Sequence, residues 1–411
     1  NMSWPYPTKI RKWKFPLLMG AIMLMVATKT ISNALKPAVL PLTEIEKCPA
    51  CYGNSICDKI VNGSIRITPF GLYSAIAHLV GSKNVFFGTM GDVKIVLKKL
   101  AHSYELRAFD DMICNNESLA GICSRHRNRK TYEAGVDFHS LIVKAVTSSF
   151  LIPDASSLRL CPTAERIDKL FRNIYANDGD SRDVYQWTLI KINPEPLVLQ
   201  ILPASEGWPV PKYLGACGRL IVQEYVGFPL TTYYYEPWIR RAKIASSLLG
   251  AARMLTFRNP DFGFYLTDLS PDNIAITPDD EAKFIDLENI IIVDKNVSVK
   301  DRSATWRQMQ VNEETIECRN CLAFTPADIC NHQLSDHNYY AICQHILSDR
   351  TSATSFPGGF LHSVPMDILK KYTGLIHILD QCAVPIFLPY KRISFGDELK
   401  KILDKIVKDT G

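Results

Sequence analysis

The sequence predicts an α+β protein built as two lobes joined by a short linker. Residues 85–98 form two apolar strand patterns around a glycine turn. Residues 220–226 form a buried strand pattern that ends at Gly227. Residues 237–257 follow as an amphipathic helix, and residues 265–289 as a polar loop and an apolar hairpin. The strands come before the linker, and the helix and hairpin come after it. This order indicates a first lobe built on a sheet and a second lobe that contains a helix and a hairpin.

The loop and hairpin carry the residue types needed for chemistry on phosphates. Asp268 is followed by Asn273 in the frame Asp-Leu-Ser-Pro-Asp-Asn, and the second apolar strand ends on Asp286. The protein-kinase fold uses this layout: one Asp accepts the proton of the acceptor hydroxyl, and an Asn and a second Asp hold the metal ions on the ATP phosphates. We therefore expect Asp268 to be catalytic, and Asn273 and Asp286 to bind Mg²⁺ or Mn²⁺.

Composition and charge narrow the class of protein. The 411 residues are 47% hydrophobic and 22% charged, which is ordinary for a globular chain with a large core. The net charge of +5 is modest, and no basic stripe is interleaved with aromatic residues, so nucleic acid is not an expected partner. The 12 cysteines favour an oxidising compartment.

The N-terminal region predicts passage through a membrane system. A basic tail, residues 1–14, precedes an apolar segment, residues 15–31. This order is typical of a signal anchor or a signal peptide, and we favour an anchor with the basic side in the cytoplasm. Residues 32–47 are expected to be a stem, and the body to be lumenal in the Golgi or endoplasmic reticulum, or secreted. Three glycosylation sequons agree with this location: Asn62, Asn116 and Asn296.

In such a compartment most or all cysteines should form disulfides. The candidates are Cys48, Cys51, Cys57, Cys114, Cys123, Cys161, Cys217, Cys318, Cys321, Cys330, Cys343 and Cys382. Short sequence separations favour local bridges within three groups: Cys48, Cys51 and Cys57; Cys114 and Cys123; Cys318, Cys321 and Cys330. A zinc site that uses the two Cys-x-x-Cys pairs is the weaker alternative.

The first strand pair predicts a site for phosphates. Gly88 and Gly91 flank its turn and form a short version of a phosphate-covering loop. The second strand ends in Lys98, which matches the Val-Ala-Ile-Lys pattern whose lysine pairs with ATP phosphates. Lys94 and Lys99 are the alternatives for this role.

The strand that ends at Gly227 resembles the last strand before the kinase linker that receives the adenine of ATP. We expect Glu224 and Val226 to contact the adenine. Upstream, Asn193-Pro194-Glu195-Pro196 opens a helix, because Asn caps well and Pro suits the first helical position. Its place just before the linker strand makes Glu195 the preferred partner of Lys98. Glu105, on a predicted helix closer to Lys98 in sequence, is the rival.

These assignments set the expected domains. A first lobe covers residues 48–226, with a helical insertion over about 101–190, and a second lobe covers residues 227–411. Within the insertion, apolar residues at helical spacing after Pro162 predict a helix: Ile167, Leu170, Phe171, Ile174 and Tyr175.

Five segments closely resemble the divergent protein kinase domain 2 family, the "deleted in autism" relatives. They are Cys-Pro-Ala-Cys at 48–51, Asn-Pro-Glu-Pro-Leu-Val-Leu-Gln at 193–200, Glu-Gly-Trp-Pro at 206–209, Lys-Tyr-Leu-Gly-Ala-Cys-Gly-Arg at 212–219, and Asp-His-Asn-Tyr-Tyr-Ala-Ile-Cys at 336–343. The resemblance runs from about Cys48 to the C-terminus. It implies a two-lobed protein-kinase-like fold, disulfides, passage through the secretory pathway and, for some members, secretion.

The sequence also departs from the kinase pattern. Leu266-Thr267 stand where His-Arg normally precede the catalytic Asp, and Leu287-Glu288 replace the Phe-Gly after the metal-binding Asp. Two functions remain open. One is a Mg²⁺/ATP-dependent phosphotransferase that acts on a protein or another hydroxyl-bearing acceptor. The other is a catalytically impaired, kinase-like binding protein that signals to a receptor.

Overall fold

The computed structural model describes residues 37–68, 84–123, 136–148, 158–172, 174, 182–312, 323–349, 356–385 and 389–410, and four isolated positions before residue 37. The predicted tail, most of the apolar segment 15–31 and most of the stem therefore lie outside the described residues. Among the residues that the structure does describe, no helix is long and apolar enough to cross a membrane.

The first lobe is built on an antiparallel five-stranded sheet. Its strands are β1 (Ile65–Ile67), β2 (Val85–Met90), β3 (Val93–Lys98), β5 (Tyr213–Cys217) and β6 (Leu220–Glu224), in the order β1-β2-β3-β6-β5. Two short helices, α1 (Val39–Leu42) and α2 (Cys57–Val61), pack beside β1. Alternate residues of these strands bury an apolar cluster that includes Phe86, Leu97 and Val222. Alternation along a strand sends its apolar side chains to one face, so the sheet gains a core on that side.

The second face of this sheet carries the helix that was predicted from Asn193-Pro194. Helix α7 (Glu195–Ile201) follows α6 (Arg182–Ile192) after a two-residue break. The Asn193 side-chain oxygen accepts a hydrogen bond from the Glu195 N–H at 3.0 Å, but Pro194 is the N-cap residue, so the helix begins one residue later than the Asn-Pro pattern predicted. This hydrogen bond ties Glu195, at the start of α7, to Asn193.

The insertion between β3 and α7 is helical, but part of it belongs to the second lobe. Its helices are α3 (Ser103–Cys114), α4 (Phe138–Ser148) and α5 (Ile167–Leu170). Its strand β4 (Arg159–Cys161) pairs in parallel with β11 (Ile291–Asp294), which also pairs with β8 (Phe262–Tyr265). A division that assigns all of residues 48–226 to the first lobe is therefore wrong at β4.

The helix predicted from Pro162 to Tyr175 is shorter than expected. Only Ile167–Leu170 is helical among the described residues of that segment, and Tyr175 lies outside them. Ile167, Leu170 and Phe171 are buried, as their spacing predicted. Three of the five apolar residues at helical spacing are thus buried, but the helix is shorter than their spacing indicated.

The second lobe is organised around helix α8 (Trp238–Phe257), within one residue of the predicted helix. It packs against the last helix, α13 (Arg392–Thr410). The remaining helices are α9 (Pro326–Cys330), α10 (His337–Tyr340), which continues as a π-helical segment Ala341–Leu347, α11 (Met366–Lys371) and α12 (Leu375–Ala383). Buried Arg241 on α8 donates to the carbonyls of Phe360 and His362 at 2.6 and 3.0 Å, so its charge is fully hydrogen-bonded inside the lobe.

The predicted hairpin lies beside the linker between the lobes. Strands β9 (Ile274–Ile276) and β10 (Ala282–Phe284) pair with each other, and β7 (Phe228–Pro229) pairs with β9 directly after the linker. Gly227 lies so close to this hairpin that a Cβ atom there would sit 1.9 Å from the Ile276 carbonyl oxygen. The close approach explains why a glycine ends the linker. A further pair, β12 (Met309–Gln310) and β13 (Leu334–Ser335), lies near the start of α10.

Disulfides join both near and distant segments. The described bridges are Cys48–Cys51, Cys57–Cys217, Cys114–Cys123, Cys161–Cys330 and Cys343–Cys382, and no cysteine in the described part of the chain is free. The predicted local bridges Cys48–Cys51 and Cys114–Cys123 are present. Because Cys48 and Cys51 are bonded to each other, they are not half of a zinc site.

Cys57 and Cys330, each from a group of three candidates, form bridges outside those groups. The Ile56 N–H donates to the Ala216 carbonyl at 3.1 Å, which places Cys57 against β5 and its Cys217. Helix α9 packs on β11, which brings Cys330 to Cys161 at the end of β4. Tertiary packing rather than sequence separation thus selects these two partners. Cys318 and Cys321 lie outside the described residues.

Candidate active site

A cleft of about 700 Å³ separates the two lobes and gathers many of the predicted site residues. The first lobe contributes β2 and β3, the linker contributes 224–227, and the second lobe contributes the loop and hairpin. Predicted site residues that line the cleft are Gly88, Lys98, Glu224, Val226, Asn273 and Asp286. A concave, largely preformed cavity of this size suits a small-molecule ligand.

Lys98 is held at the inner end of the cleft by two contacts. Its ammonium nitrogen lies 2.6 Å from Glu195 Oε1 and 2.6 Å from the carbonyl oxygen of Ile285, next to Asp286. The alternatives for the predicted lysine are placed differently. Lys99 pairs with Glu44 at 3.0 Å, and Lys94 lies near the linker. Lys98 alone of these three links the first lobe to the segment that carries Asp286.

The two rival glutamates have different roles. Glu195 is 1% exposed and forms the ion pair with Lys98. Glu105 instead accepts a hydrogen bond from the His102 N–H at 2.6 Å, which caps its own helix α3. The structure therefore pairs Lys98 with Glu195, the residue preferred for its position before the linker strand.

Burial sets the protonation behaviour of Glu195. Loss of hydration raises the pKa of this carboxyl to about 7, against the opposing attraction of Lys98 and with a further rise from the charge of Asp286. The carboxyl thus changes charge near neutral pH, in a range where an exposed glutamate is fully ionised.

The predicted loop brings Asp268, Asn273 and Asp286 to one side of the cleft. The Asn273 amide donates to the Asp268 carbonyl at 3.3 Å, and the Ile285 N–H donates to the Asn273 carbonyl at 3.0 Å. Asn273 and Asp286 face the cleft, whereas Asp268 is exposed beside it. Partial loss of hydration, together with the charge of Asp286, raises the pKa of Asp268 above its ordinary value.

The residues that replace His-Arg are anchored by α10. His337 Nε2 lies 2.8 Å from the Leu266 carbonyl, and Asn338 accepts from the Leu266 N–H at 3.1 Å. Asn338 also donates to the Phe264 carbonyl at 2.8 Å. Thr267 donates its hydroxyl to the carbonyl of Asn289. The backbone before Asp268 is thus held by hydrogen bonds without a His-Arg pair.

Sequence reasoning missed this anchoring role. Its signal was present, since His337 and Asn338 lie in the Asp-His-Asn-Tyr-Tyr segment at 336–340. Burial explains the state of the histidine: loss of hydration lowers the pKa of His337 to about 4, so its ring is neutral at physiological pH.

Glu288 is a second missed residue. Its carboxylate accepts a hydrogen bond from the Asn193 side-chain amide, so Asn193 contacts both the start of α7 and the segment after Asp286. Burial and the charge of Asp286 raise the pKa of Glu288. Glu288, which stands where kinases have the Gly of Phe-Gly, therefore makes a contact between the lobes.

The linker forms the outer edge of the cleft. The Tyr225 N–H donates to the Lys94 carbonyl at 3.1 Å, which ties the linker to β3. Phe87 and Tyr225 make an edge contact with ring centres 5.8 Å apart, and Tyr225 makes another with Phe228 at 6.5 Å. Glu224 and Val226 lie on the cleft side of this aromatic frame.

Of the two predicted glycines, Gly88 lines the cleft and Gly91 does not. Gly91 is at the tip of the tight β2–β3 turn, where its φ of +59° favours glycine. Because Lys98 pairs with Val85 and Val93 pairs with Met90, this tip is at the end of the strands farthest from Lys98. Gly88 does line the cleft, but it lies within β2, where a Cβ atom would sit 2.4 Å from the Arg66 carbonyl oxygen. It is needed for the close approach of β1.

The sheet order shows which strand end lies beside Lys98. Strand β1 pairs with β2, and β2 begins at Val85, opposite Lys98. A connection joins β1 to β2. Its residues 69–83 lie outside the described part of the chain. A three-residue strand such as β1 gives too little pattern to reveal this from sequence.

Asn273 and Asp286 supply an amide oxygen and a carboxylate, which are the hard ligands that Mg²⁺ prefers. Across the described ranges, the structure contains no group of three or more His, Cys, Asp or Glu side chains placed to hold a metal ion. A metal at Asn273 and Asp286 would thus take further ligands from phosphate or water, as Mg²⁺ commonly does.

Comparison with known proteins places the chain among kinase-like relatives. A family model described as "Protein-kinase domain of FAM69" matches residues 186–385. Divergent protein kinase domain 2A of Xenopus tropicalis is 34% identical over 382 residues, which cover 88% of this chain and 87% of that protein. The Homo sapiens protein of the same name is 32% identical over 384 residues, with 88% and 87% covered. Divergent protein kinase domain 2B of Homo sapiens is 26% identical over 327 residues, with 74% and 72% covered.

Proposed function

Because the chain belongs to the divergent protein kinase domain 2 family, we propose that its cleft binds ATP with Mg²⁺ or Mn²⁺ and transfers the terminal phosphoryl group to a hydroxyl of a protein acceptor. The observation that carries this proposal is the buried contact of Lys98 with both Glu195 and the Ile285 carbonyl. It sets a cation next to Asn273 and Asp286 in one cavity. A phosphate recognition site requires this combination of a fixed cation and oxygen ligands.

The side chains divide the work according to where they lie. Lys98 would hold phosphate oxygens, and Asn273 and Asp286 would hold the metal ion. The metal, when bound, neutralises charge on the phosphates. Asp268 lies outside the cleft lining, where an acceptor hydroxyl would approach, and its raised pKa makes it a better proton acceptor than an ordinary aspartate.

Nucleotide binding is the first test of this proposal. ATP with Mg²⁺ should raise the melting temperature of the wild-type protein, and Asp286→Ala should abolish the rise because the metal loses its carboxylate. Asp279→Ala is the matched control, since it removes an exposed acid from the turn of the same hairpin. A rise that Asp286→Ala leaves intact would contradict the assignment of the metal site.

The second candidate is a catalytically impaired binding protein that acts through its surface on a receptor. The observation that favours it is Leu266-Thr267, held by α10 and by Asn289, in place of the His-Arg of active kinases. This candidate predicts no phosphoryl transfer by the wild-type protein to any acceptor or to water. A transfer activity that Asp268→Asn removes would reject it.

We also propose that the protein resides in the lumen of the endoplasmic reticulum or Golgi, anchored by its N-terminal segment or secreted. Five described disulfides support an oxidising compartment. Expression in secretory cells followed by glycosidase treatment tests this location. Asn62 and Asn116 are exposed and should carry glycans, whereas the Asn296 amide donates to Asp261 at 2.9 Å and should not. Recovery of an unglycosylated protein from the cytosol would refute the proposal.

A further inference from the structure

The inner wall of the cleft contains a buried amide with an unused hydrogen-bonding group. Gln223, on β6, is 2% exposed and lines the cleft one residue before Glu224. Its Oε1 atom is buried and accepts no hydrogen bond from any described residue. A buried polar group without a partner is costly, so an oxygen left in this state is informative.

The surroundings of Gln223 indicate the shape of a partner. Gln223 is the cross-strand neighbour of Val96, and both side chains line the cleft. Ala275 lines it from the second lobe. Apolar side chains from the two lobes suit the faces of a flat ring, and an amide in the wall suits a polar group on the edge of such a ring.

The chemistry of an amide narrows this partner further. The side chain offers one acceptor and one donor group side by side, and rotation about its last carbon–carbon bond exchanges them without a change of shape. A nucleobase edge with an exocyclic amine next to a ring nitrogen matches this pair, as in glutamine contacts with adenine.

We propose that Gln223 selects the nucleotide by accepting a hydrogen bond from the exocyclic amino group of its base. This assignment rests on the proposed phosphotransferase function and adds the residue that reads the base. Glu224 and Val226, which were predicted from sequence to contact adenine, are backbone neighbours of Gln223 on the same edge of the cleft.

The test compares ATP with purine riboside triphosphate, which lacks the exocyclic amine, in the presence of Mg²⁺. We measure both dissociation constants by calorimetry for the wild type and for Gln223→Met, which keeps the length of the side chain and removes its hydrogen bonds. The wild type should bind ATP about tenfold more tightly than the analogue. In Gln223→Met this ratio should fall to about one, chiefly through weaker binding of ATP.

Gln186→Met is the matched control. Gln186 is also buried, its Nε2 has no partner among the described residues, and it lies on α6 outside the cleft lining. This variant should keep the tenfold preference for ATP. An unfolding transition in the wild type and in both variants shows that all three proteins are folded.

The outcomes separate the two proposals. Equal binding of the two nucleotides to the wild type, or a preference that Gln223→Met retains, overturns the role of Gln223 and leaves the phosphotransferase proposal standing. A folded wild-type protein that binds neither nucleotide rejects the phosphotransferase proposal and the role of Gln223 with it.

Discussion

At the scale of single residues, the loop and the hairpin place two carboxylates in different positions. Asp286 lines the cleft next to the carbonyl that holds Lys98, whereas Asp268 lies exposed beside it. A ligand of the metal and an acceptor of a proton need these different positions. Mutation of each should therefore affect a different step.

Asp268→Asn should preserve nucleotide binding and reduce phosphoryl transfer by about 10²–10⁴-fold, because the amide keeps the shape but accepts no proton. Binding is measured by thermal shift with ATP and Mg²⁺, and transfer with γ-labelled ATP. Asp279→Asn in the hairpin turn is the control and should change neither. Equal losses of nucleotide binding in Asp268→Asn and Asp286→Ala would contradict the division of roles.

Glu195 makes stability depend on pH. Its pKa rises from 4.5 to about 7 in the folded protein, so the folded state holds the proton more tightly. The contribution is fully present below pH 4.5 and is lost as the pH rises through 7. Relative to Glu195→Gln, the wild type should lose about 3 kcal/mol of unfolding free energy between pH 4.5 and 7.5. Urea unfolding of both proteins checks this, and a difference independent of pH would disprove it.

The choice of Glu195 shows what the sequence reveals at this scale. Its position before the linker strand and its Asn-Pro context identified it over Glu105, and Lys98 followed from the end of an apolar strand. The unpaired side-chain oxygen of Gln223 had no comparable signal, because the hydrogen-bond partners of a buried group are far apart in sequence.

At the scale of elements, α10 supports the loop that precedes Asp268. Asn338 is 1% exposed and bonds to the backbone of Leu266 and Phe264 and, at 3.0 Å, to the Thr256 hydroxyl. The loop and β8 thus share one anchor. Its removal would leave a backbone N–H and a carbonyl unpaired inside the protein.

Asn338→Ala should therefore lower the free energy of unfolding by at least about 2 kcal/mol, since each unsatisfied buried group typically costs 1–3 kcal/mol. Chemical denaturation measures the loss. The control is Asn331→Ala, since the Asn331 side chain is exposed just after α9. This substitution should lower the free energy of unfolding by less than about 0.5 kcal/mol. Similar losses in the two variants would argue against the anchoring role of Asn338.

Elements with strong local patterns were predicted well, and those defined by partners were not. Helix α8, the hairpin and the linker strand were found from periodicity and turn residues. The glycine turn was misassigned because its place in the sheet depends on β1, which has only three residues. The register of β2 against β3 places Gly91 at the end of the two strands that is farthest from Lys98, and composition does not reveal strand register.

At the scale of the whole molecule, the predicted kinase-like α+β fold with disulfides is confirmed, as is the family. The connections between distant segments were not foreseen. Cys57–Cys217 and Cys161–Cys330 span 160 and 169 residues, and only packing of the finished fold brings such cysteines together.

These long bridges should contribute more to stability than the short ones. By loop-closure entropy, a bridge across 169 residues contributes about 5 kcal/mol and one across nine residues about 3 kcal/mol. The double variant Cys161→Ser/Cys330→Ser should therefore melt at a lower temperature than Cys114→Ser/Cys123→Ser. Calorimetry of the two variants checks this order, and the reverse order would contradict the entropic account.

The parallel pairing of β4 with β11 has a consequence for folding during synthesis on the ribosome. Residues 159–161 meet residues 291–293, so β4 emerges from the ribosome more than a hundred residues before its neighbour. At about 5–20 residues per second, β4 waits for several seconds without a partner. The part of the second lobe that contains β4 therefore cannot finish folding until β11 has been made. A gene cut at the linker should yield two halves that fold only when they are produced together.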